Sequence, residues 1–238
     1  MQIIIAVVAL LMWGHTASAQ KEYSLSVSRH QDVPELSQAE VNAILDAASK
    51  MLQTNPGVAC NVKFTLRGAI GKFGSPNTST ADIPAKVDAA HIDAVHRVDS
   101  ERNDVDFHVK LVEEIKPLCR IESQRGFNGC SWPHAFRSII VVHPKLHKDD
   151  RGRLLSERFP NKKFPDHLLW AHEFGHLTGL DHHQNPPDAR MTDRDRFALM
   201  SSRDVFFFAL EDSVDDAQVN RRECDCFVAG LKSCEPQQ

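Results

Sequence analysis

Residues 170–182 restrict the fold of this 238-residue chain more than any other part of its sequence. His172 and His176 are four positions apart, so on a helix both side chains lie on one face. Gly179 follows at a point where the helix can end, because glycine tolerates the positive φ of a sharp turn toward His182. The spacing predicts a helix, a glycine turn and three imidazoles that meet at one point.

Three converging imidazoles beside a carboxylate are typical of a catalytic zinc site. Neutral imidazole is a good ligand for Zn²⁺, and three protein ligands leave a fourth position open for water. Glu173 follows the first histidine and can act there as a general base. A bare HExxH pattern arises by chance in roughly one such chain in a hundred, and the added Gly and His lower that rate about a thousandfold. We predict one zinc ion bound by His172, His176 and His182, with the adjacent His183 as the less favoured third ligand.

The pattern HExxHxxGxxH that begins at His172 resembles the zinc signature of the metzincin metallopeptidases. Metzincins place a methionine on a tight turn beneath the zinc, and residues 198–201 are similar to the turn of matrixin-like members. The resemblance implies that Met200 forms this Met-turn; ordinary core packing is the alternative. Ser202 stands where astacin-like and serralysin-like members have a tyrosine that joins the zinc, so no tyrosine ligand is expected. The sequence has no EF-hand spacing, and calcium binding is not predicted.

The same resemblance implies an α/β (α+β) fold of metzincin type. Its parts would be a twisted, mostly parallel sheet, an active-site helix, and a smaller, irregular C-terminal subdomain. A protein or peptide substrate would bind extended along a sheet edge, for which residues 131–142 are the candidate.

Local patterns predict the elements of one mixed α/β domain, since the chain has no internal repeat and no break in composition. A capping box begins at Ser37, and apolar residues then recur at helical spacing up to residue 55, which predicts an amphipathic helix that opens the domain. Asp166 is the predicted N-cap of the active-site helix. Residues 75–103 are expected to be mostly loop, and residues 204–217 are the candidate for the last helix. Two half-buried strands and one fully buried strand are predicted over 62–67, 105–111 and 139–142.

The first nineteen residues have the pattern of a secretory signal peptide. Residues 3–13 are an unbroken apolar run, and the small residues 17–19 follow it, which predicts cleavage after Ala19. The run is too short to span a bilayer; a buried N-terminal element is the alternative. The prediction leaves residues 20–238 as the catalytic domain, with a cysteine-containing tail over 223–238.

Cysteine usage also favours export. The chain has six cysteines, all after the predicted cleavage site, and an even number suits disulfides in an oxidising compartment. Fifteen pairings are possible, and at least one tail cysteine has to pair outside the tail. Cys119 and Cys130 are near enough in sequence to close a local loop. The candidate disulfide cysteines are Cys60, Cys119, Cys130, Cys224, Cys226 and Cys234.

Overall charge excludes some partners. A formal net charge of -4 and a pI near 6.3 give no reason to expect nucleic acid or an anionic membrane. The sequence therefore predicts a monomeric zinc metalloendopeptidase that is secreted or periplasmic, without nucleic acid and without stable membrane insertion. The alternative is a secreted binding or effector module that zinc stabilises and that has little or no turnover. Glu173 argues against it, because a structural zinc site needs no carboxylate beside an open position.

Overall fold

A computed structural model describes the chain over residues 20–55, 58–116, 128–131, 136–148, 152–160, 165–182, 199–200 and 217–234. The predicted signal peptide, Cys119, His183, Ser202 and nearly all of the candidate helix at 204–217 lie outside these residues. Within them, no helix combines the length and the apolar character needed to cross a membrane.

A mostly parallel sheet forms the centre of the molecule. Its strands are β1 (Lys21–His30), β2 (Val62–Leu66), β3 (Gly71–Phe73), β5 (Phe107–Val112), β7 (Gly129–Ser131) and β8 (Ser138–Val142). The strand order is β2-β1-β5-β8-β7, and β3 pairs with the second half of β1. Among these described strands, β7 and β8 are antiparallel and every other pair is parallel. Two short strands, β4 (Lys86–Val87) and β6 (Glu114–Ile115), pair separately.

Helices cover both faces of this sheet. They are α1 (Gln38–Gln53), α2 (Ile92–Arg97), α3 (Leu155–Arg158), α4 (Asp166–Thr178) and α5 (Arg221–Ala229). One apolar core joins α1, α4 and α5 to one face of the sheet, and a second core joins α2 to the other. The mixed α/β fold with a mostly parallel sheet, predicted from the sequence, is confirmed.

Aromatic packing fixes α4 against the sheet. The ring of Phe174 lies 4.7 Å from that of Tyr23 and 4.9 Å from those of Phe64 and Phe107, measured between centroids. The hydroxyl of Tyr23 in turn donates to the carbonyl of Phe227 in α5 over 2.6 Å. These contacts hold the face of α4 that is opposite to its histidines.

Several local predictions are confirmed and others are wrong. The predicted capping box of α1 is present, with Ser37 and Glu40 each bonded to the other's backbone nitrogen. A helix does not open the domain, because β1 precedes α1. The strand β5 is buried along its whole length rather than on one face, because it is central in a parallel sheet covered on both sides. Asp166 is the first residue of α4, and the N-cap position belongs to Pro165.

Two disulfides join the C-terminal segment to the rest of the molecule and to itself. Cys60 is bonded to Cys224, and Cys226 is bonded to Cys234. The first bridge connects α5 to the residues that precede β2, as expected for a tail that has to pair outside itself. Cys130 is half-buried in β7; its suggested partner lies outside the described residues, so that pairing stays a prediction.

Candidate active site

Two of the three predicted histidine ligands lie on one face of α4. His172 and His176 are one turn apart, with ring centroids separated by 4.8 Å. The chain then leaves the helix and brings His182 back, so that its Nε2 lies 3.1 Å from the Nε2 atoms of both other rings. The three candidate ligand atoms all lie within 4.8 Å of one another. The predicted helix and its return to His182 are therefore both present.

Gly179 makes this return possible for two reasons. Its φ of 99° is in the left-handed region, as expected from the sequence. In addition, a Cβ at this position would collide with the carbonyl oxygen of Cys234. The loop closed by the Cys226–Cys234 bridge caps α4, since the nitrogens of Lys232 and Cys234 donate to the carbonyls of Leu177 and Thr178, each over 2.9 Å. This loop was not foreseen, because its contact with Gly179 joins residues distant in sequence.

Backbone carbonyls fix the orientation of the two helical histidines. His172 Nδ1 donates to the carbonyl of Leu199 over 2.6 Å, and His176 Nδ1 donates to that of Leu180 over 2.7 Å. With Nδ1 protonated, a neutral ring presents the Nε2 lone pair to the cluster. Burial lowers the pKa of both side chains, that of His172 to well below its ordinary value. Both imidazoles are therefore held in the neutral form that binds metals.

The donor atoms of this cluster fit a zinc ion. Three Nε2 lone pairs directed at one point repel each other unless a cation lies between them. In tetrahedral zinc sites the nitrogens are about 2.0–2.1 Å from the ion and therefore about 3.3 Å from one another. The observed separations of 3.1 Å from His182 to the other two are close to this value. His182 is exposed, which leaves one side of the cluster open to solvent.

Met200 lies beneath this cluster, against α4. The side chain is fully buried, and a Cβ on Gly175 would collide with its sulfur atom. Gly175 therefore allows Met200 to touch the helix backbone between the two helical histidines. Sequence reasoning missed the role of Gly175, although a glycine inside a helix, which costs about 1 kcal/mol relative to alanine, is a signal of close packing.

Glu173 is buried beside the histidines and faces the end strand β7. It is 5% exposed, and burial raises the pKa of its carboxyl to about 8, while a hydrogen bond from Ser131 acts in the opposite direction. Ser131 Oγ donates to Glu173 Oε2 over 2.8 Å. A Cβ on Gly129 would collide with the same carboxyl group. Neither β7 residue was singled out from the sequence, because a three-residue strand has no recognisable periodicity.

A buried polar chain fixes the start of α4. His147 Nε2 donates to Asp166 Oδ1 over 2.8 Å, and His147 Nδ1 lies 3.1 Å from Asn128 Oδ1. Asp166 belongs to the first turn of α4, whereas Asn128 directly precedes β7. The helix that carries Glu173 and the strand that contacts it are thus linked at one end. Sequence reasoning missed this link too, because it connects three separate segments.

No family model matches the chain, and no curated protein sequence matches it. Among solved structures, mirolysin in complex with compound 9 is 12% identical, with a TM-score of 0.47 over 88% of this chain and 92% of that chain. Mature mirolysin of Tannerella forsythia in complex with a cleaved peptide is 13% identical, with a TM-score of 0.41 over 69% and 65% of the two chains. Likeness at this level does not establish a family, so function has to be inferred from the site itself.

Proposed function

We propose that this chain is a zinc-dependent endopeptidase of metzincin type. One observation carries the proposal: the Nε2 atom of His182 lies 3.1 Å from those of His172 and His176, and a buried glutamate follows His172 in the sequence. His172, His176 and His182 are the proposed zinc ligands, Glu173 is the proposed general base, and Met200 is the proposed Met-turn residue. The fully buried position of Met200 beneath α4 supports that last assignment.

Bound zinc would supply a Lewis acid that polarises the scissile carbonyl and makes water nucleophilic near neutral pH. The chain's own contribution to proton transfer comes from Glu173. Burial brings the pKa of its carboxyl to about 8, which suits a group that accepts and releases a proton near neutral pH. Glu173 would take the proton on a carboxylate oxygen and then release it to the departing amine. No covalent intermediate with the chain is required.

The edge of the sheet gives a place for an extended peptide. β7 pairs with β8 on one side, and no described strand pairs with its other side. A peptide backbone can add to such an edge by main-chain hydrogen bonds. Of the predicted edge over residues 131–142, Ser131 belongs to β7 and lies beside Glu173. The other described strand of that range, β8, is paired on both sides and is not an edge, because β7 covers it. We therefore propose a protein or peptide substrate that binds along β7.

Export is part of the proposal. The two disulfides suit an oxidising compartment and agree with a signal peptide over residues 1–19 and a single catalytic domain over residues 20–238. We propose a secreted, monomeric enzyme; the periplasm would meet the same chemical requirement.

A peptide-library digest tests the proposed activity. The purified protein should cleave peptides internally, lose this activity when a chelator removes the metal, and regain it on addition of Zn²⁺. Elemental analysis should find one zinc ion per chain. A protein that binds zinc normally and cleaves nothing across a broad library would instead be a zinc-stabilised binding or effector module.

A further inference from the structure

The short strand β7 presents alternate residues to opposite sides of the sheet. Gly129, Cys130 and Ser131 pair with Val141, Ile140 and Ile139 of β8. Cys130 packs against the second core, on the side away from α4. Gly129 and Ser131 therefore share the other side, where both contact the side chain of Glu173.

Two different contacts fix the carboxyl group of Glu173. Ser131 Oγ donates a hydrogen bond to Oε2 over 2.8 Å. The other oxygen, Oε1, lies over the α-carbon of Gly129, where any side chain larger than hydrogen would collide with it. Ser131 thus supplies a hydrogen-bond donor and Gly129 leaves room for the carboxylate. Together they define a single position for the carboxylate of Glu173.

Hydrogen bonds connect the backbone of β7 to the start of α4. Val142 N donates to the carbonyl of Asn128 over 2.8 Å, immediately before β7. The side chain of Asn128 contacts His147, which donates to Asp166 at the start of α4. His147 thus contacts both Asn128, beside β7, and Asp166, in α4. For this reason β7 cannot shift along α4 without breaking buried polar contacts.

We propose that Ser131 is a positioning residue for Glu173, and that Gly129 is required as the space in which the Glu173 carboxylate lies. A general base works only within hydrogen-bond reach of the proton it takes, and a flexible glutamate side chain reaches many positions. A hydrogen bond from a fixed strand selects one of them before substrate binds. This inference rests on the proposed endopeptidase function, but it concerns residues outside the HExxHxxGxxH pattern.

Ser131→Ala is the first test, with initial-rate kinetics on the best peptide from the library. We expect kcat to fall on the order of 10–100-fold, with KM changed by less than about twofold and zinc content unchanged. Ser131→Thr keeps the hydroxyl and should retain kcat to within about threefold, whereas the equally branched Ser131→Val should lose it as Ser131→Ala does. Ser24→Ala is the matched control, because Ser24 Oγ donates to Asp106 Oδ2 over 2.9 Å at an exposed position. It should leave kcat unchanged.

A thermal double-mutant cycle gives a measurement that does not depend on activity. Ser131→Ala should lower Tm by about 2–4 °C in the parent but not in a Glu173→Ala background, because the hydroxyl then has no carboxylate to contact. Gly129→Ala should lower kcat in the same way as Ser131→Ala, since it displaces the same carboxylate.

The outcomes separate this inference from the proposed function. A zinc-loaded parent that hydrolyses no peptide would overturn the function itself. An active parent whose Ser131→Ala variant keeps its kcat, or changes only in KM, would overturn the positioning role alone. Equal Tm losses from Ser131→Ala in both backgrounds, or equal kcat in the Thr and Val variants, would also overturn it.

Discussion

Two of the described regions that contain histidines differ, because one has the form of a metal site and the other does not. At the proposed active site, His172 and His176 donate through Nδ1 to backbone carbonyls and direct Nε2 toward His182. On the opposite face of the sheet, His96 and His108 contact the hydroxyls of Ser138 and Ser26 through Nδ1, over 2.6 Å and 2.7 Å. Burial lowers the pKa of histidines in both regions, to about 4 for His96 and His108.

The surroundings of the second pair suit no cation. A cavity of about 260 Å³ beside His96 and His108 is lined also by Ser100, Phe136, Arg137 and Lys232. Arg137 and Lys232 carry positive charge, and none of the lining residues is a carboxylate or a thiol. A lowered pKa therefore reports burial, whereas the convergence of Nε2 atoms and the carbonyls that accept from Nδ1 together indicate a metal site.

The largest expected effect is a loss of zinc affinity, which a substitution in the first region should cause and a matched substitution in the second region should not. His176→Gln removes one of the three proposed ligands and should weaken zinc binding on the order of 10³-fold, because two histidines no longer form the ligand set that a tetrahedral ion requires. The matched variant His108→Gln should bind zinc like the parent. Competition with a chromogenic chelator measures both. Equal losses in the two variants would mean that His176 supports the fold rather than the ion.

A smaller effect is expected from opening the loop that caps α4. Replacing Cys226 and Cys234 together with serine should cost about 2–3 kcal/mol of unfolding free energy. It should also weaken zinc binding about tenfold, because the loop contacts Gly179 at the turn that leads to His182. Urea unfolding and the same zinc competition measure the two effects.

The other disulfide provides the control for that experiment. Cys60 and Cys224 are separated by 164 residues in sequence, so replacing both with serine should cost at least as much stability. Because the atoms nearest a Cβ at Gly179 belong to Cys234 and not to this bridge, zinc affinity in the folded variant should stay near that of the parent. Unchanged zinc affinity in the Cys226 and Cys234 variant would show that the loop does not support His182.

The smallest expected effect is a pH dependence of the free energy of unfolding, which arises from His108 in the second region. The pKa of His108 is lowered to about 4 by burial, from an ordinary value of 6.5. Between these values the unfolded chain binds a proton that the folded chain does not, so stability decreases as pH falls through this window. His108→Gln removes that contribution, which is at most about 1.4 kcal/mol per pH unit. Urea unfolding at pH 7 and pH 5 should show a smaller acid-induced loss in the variant than in the parent; an equal loss would contradict the assignment.

The sequence predicted the parts of the site that depend on local spacing. His172, His176, Gly179 and His182 lie within eleven consecutive residues, so helical geometry and one glycine turn are enough to bring them together. The helix α1 was predictable for the same reason, since its capping box and apolar face are local patterns. The mostly parallel sheet was expected from the resemblance rather than from any pattern in the strands.

Contacts between distant segments could not be predicted. Ser131 and Gly129 contact Glu173 across more than forty residues of sequence, as the separation of 42 between Ser131 and Glu173 shows. The strand β1 was missed because serines alternate with its apolar residues; Ser26 and Ser28 are buried, and Ser26 contacts His108 on a strand 82 residues later. Because serine is common in turns, a segment with several serines is easily interpreted as a loop when the partners of its hydroxyls are unknown. The disulfide pairing likewise had fifteen possible solutions, and only the fold selects among them.

The most direct test of the account is the variant Glu173→Ala, measured for zinc content and peptide hydrolysis in the same preparation. Glu173 is proposed to move the proton and not to bind the ion, so the variant should keep one zinc ion per chain. Its rate of hydrolysis should fall on the order of 10²–10⁴-fold. Glu157→Ala, at an exposed carboxylate of α3, should keep both zinc and rate. Hydrolysis by Glu173→Ala at the parent rate, with zinc still bound, would contradict the proposed mechanism.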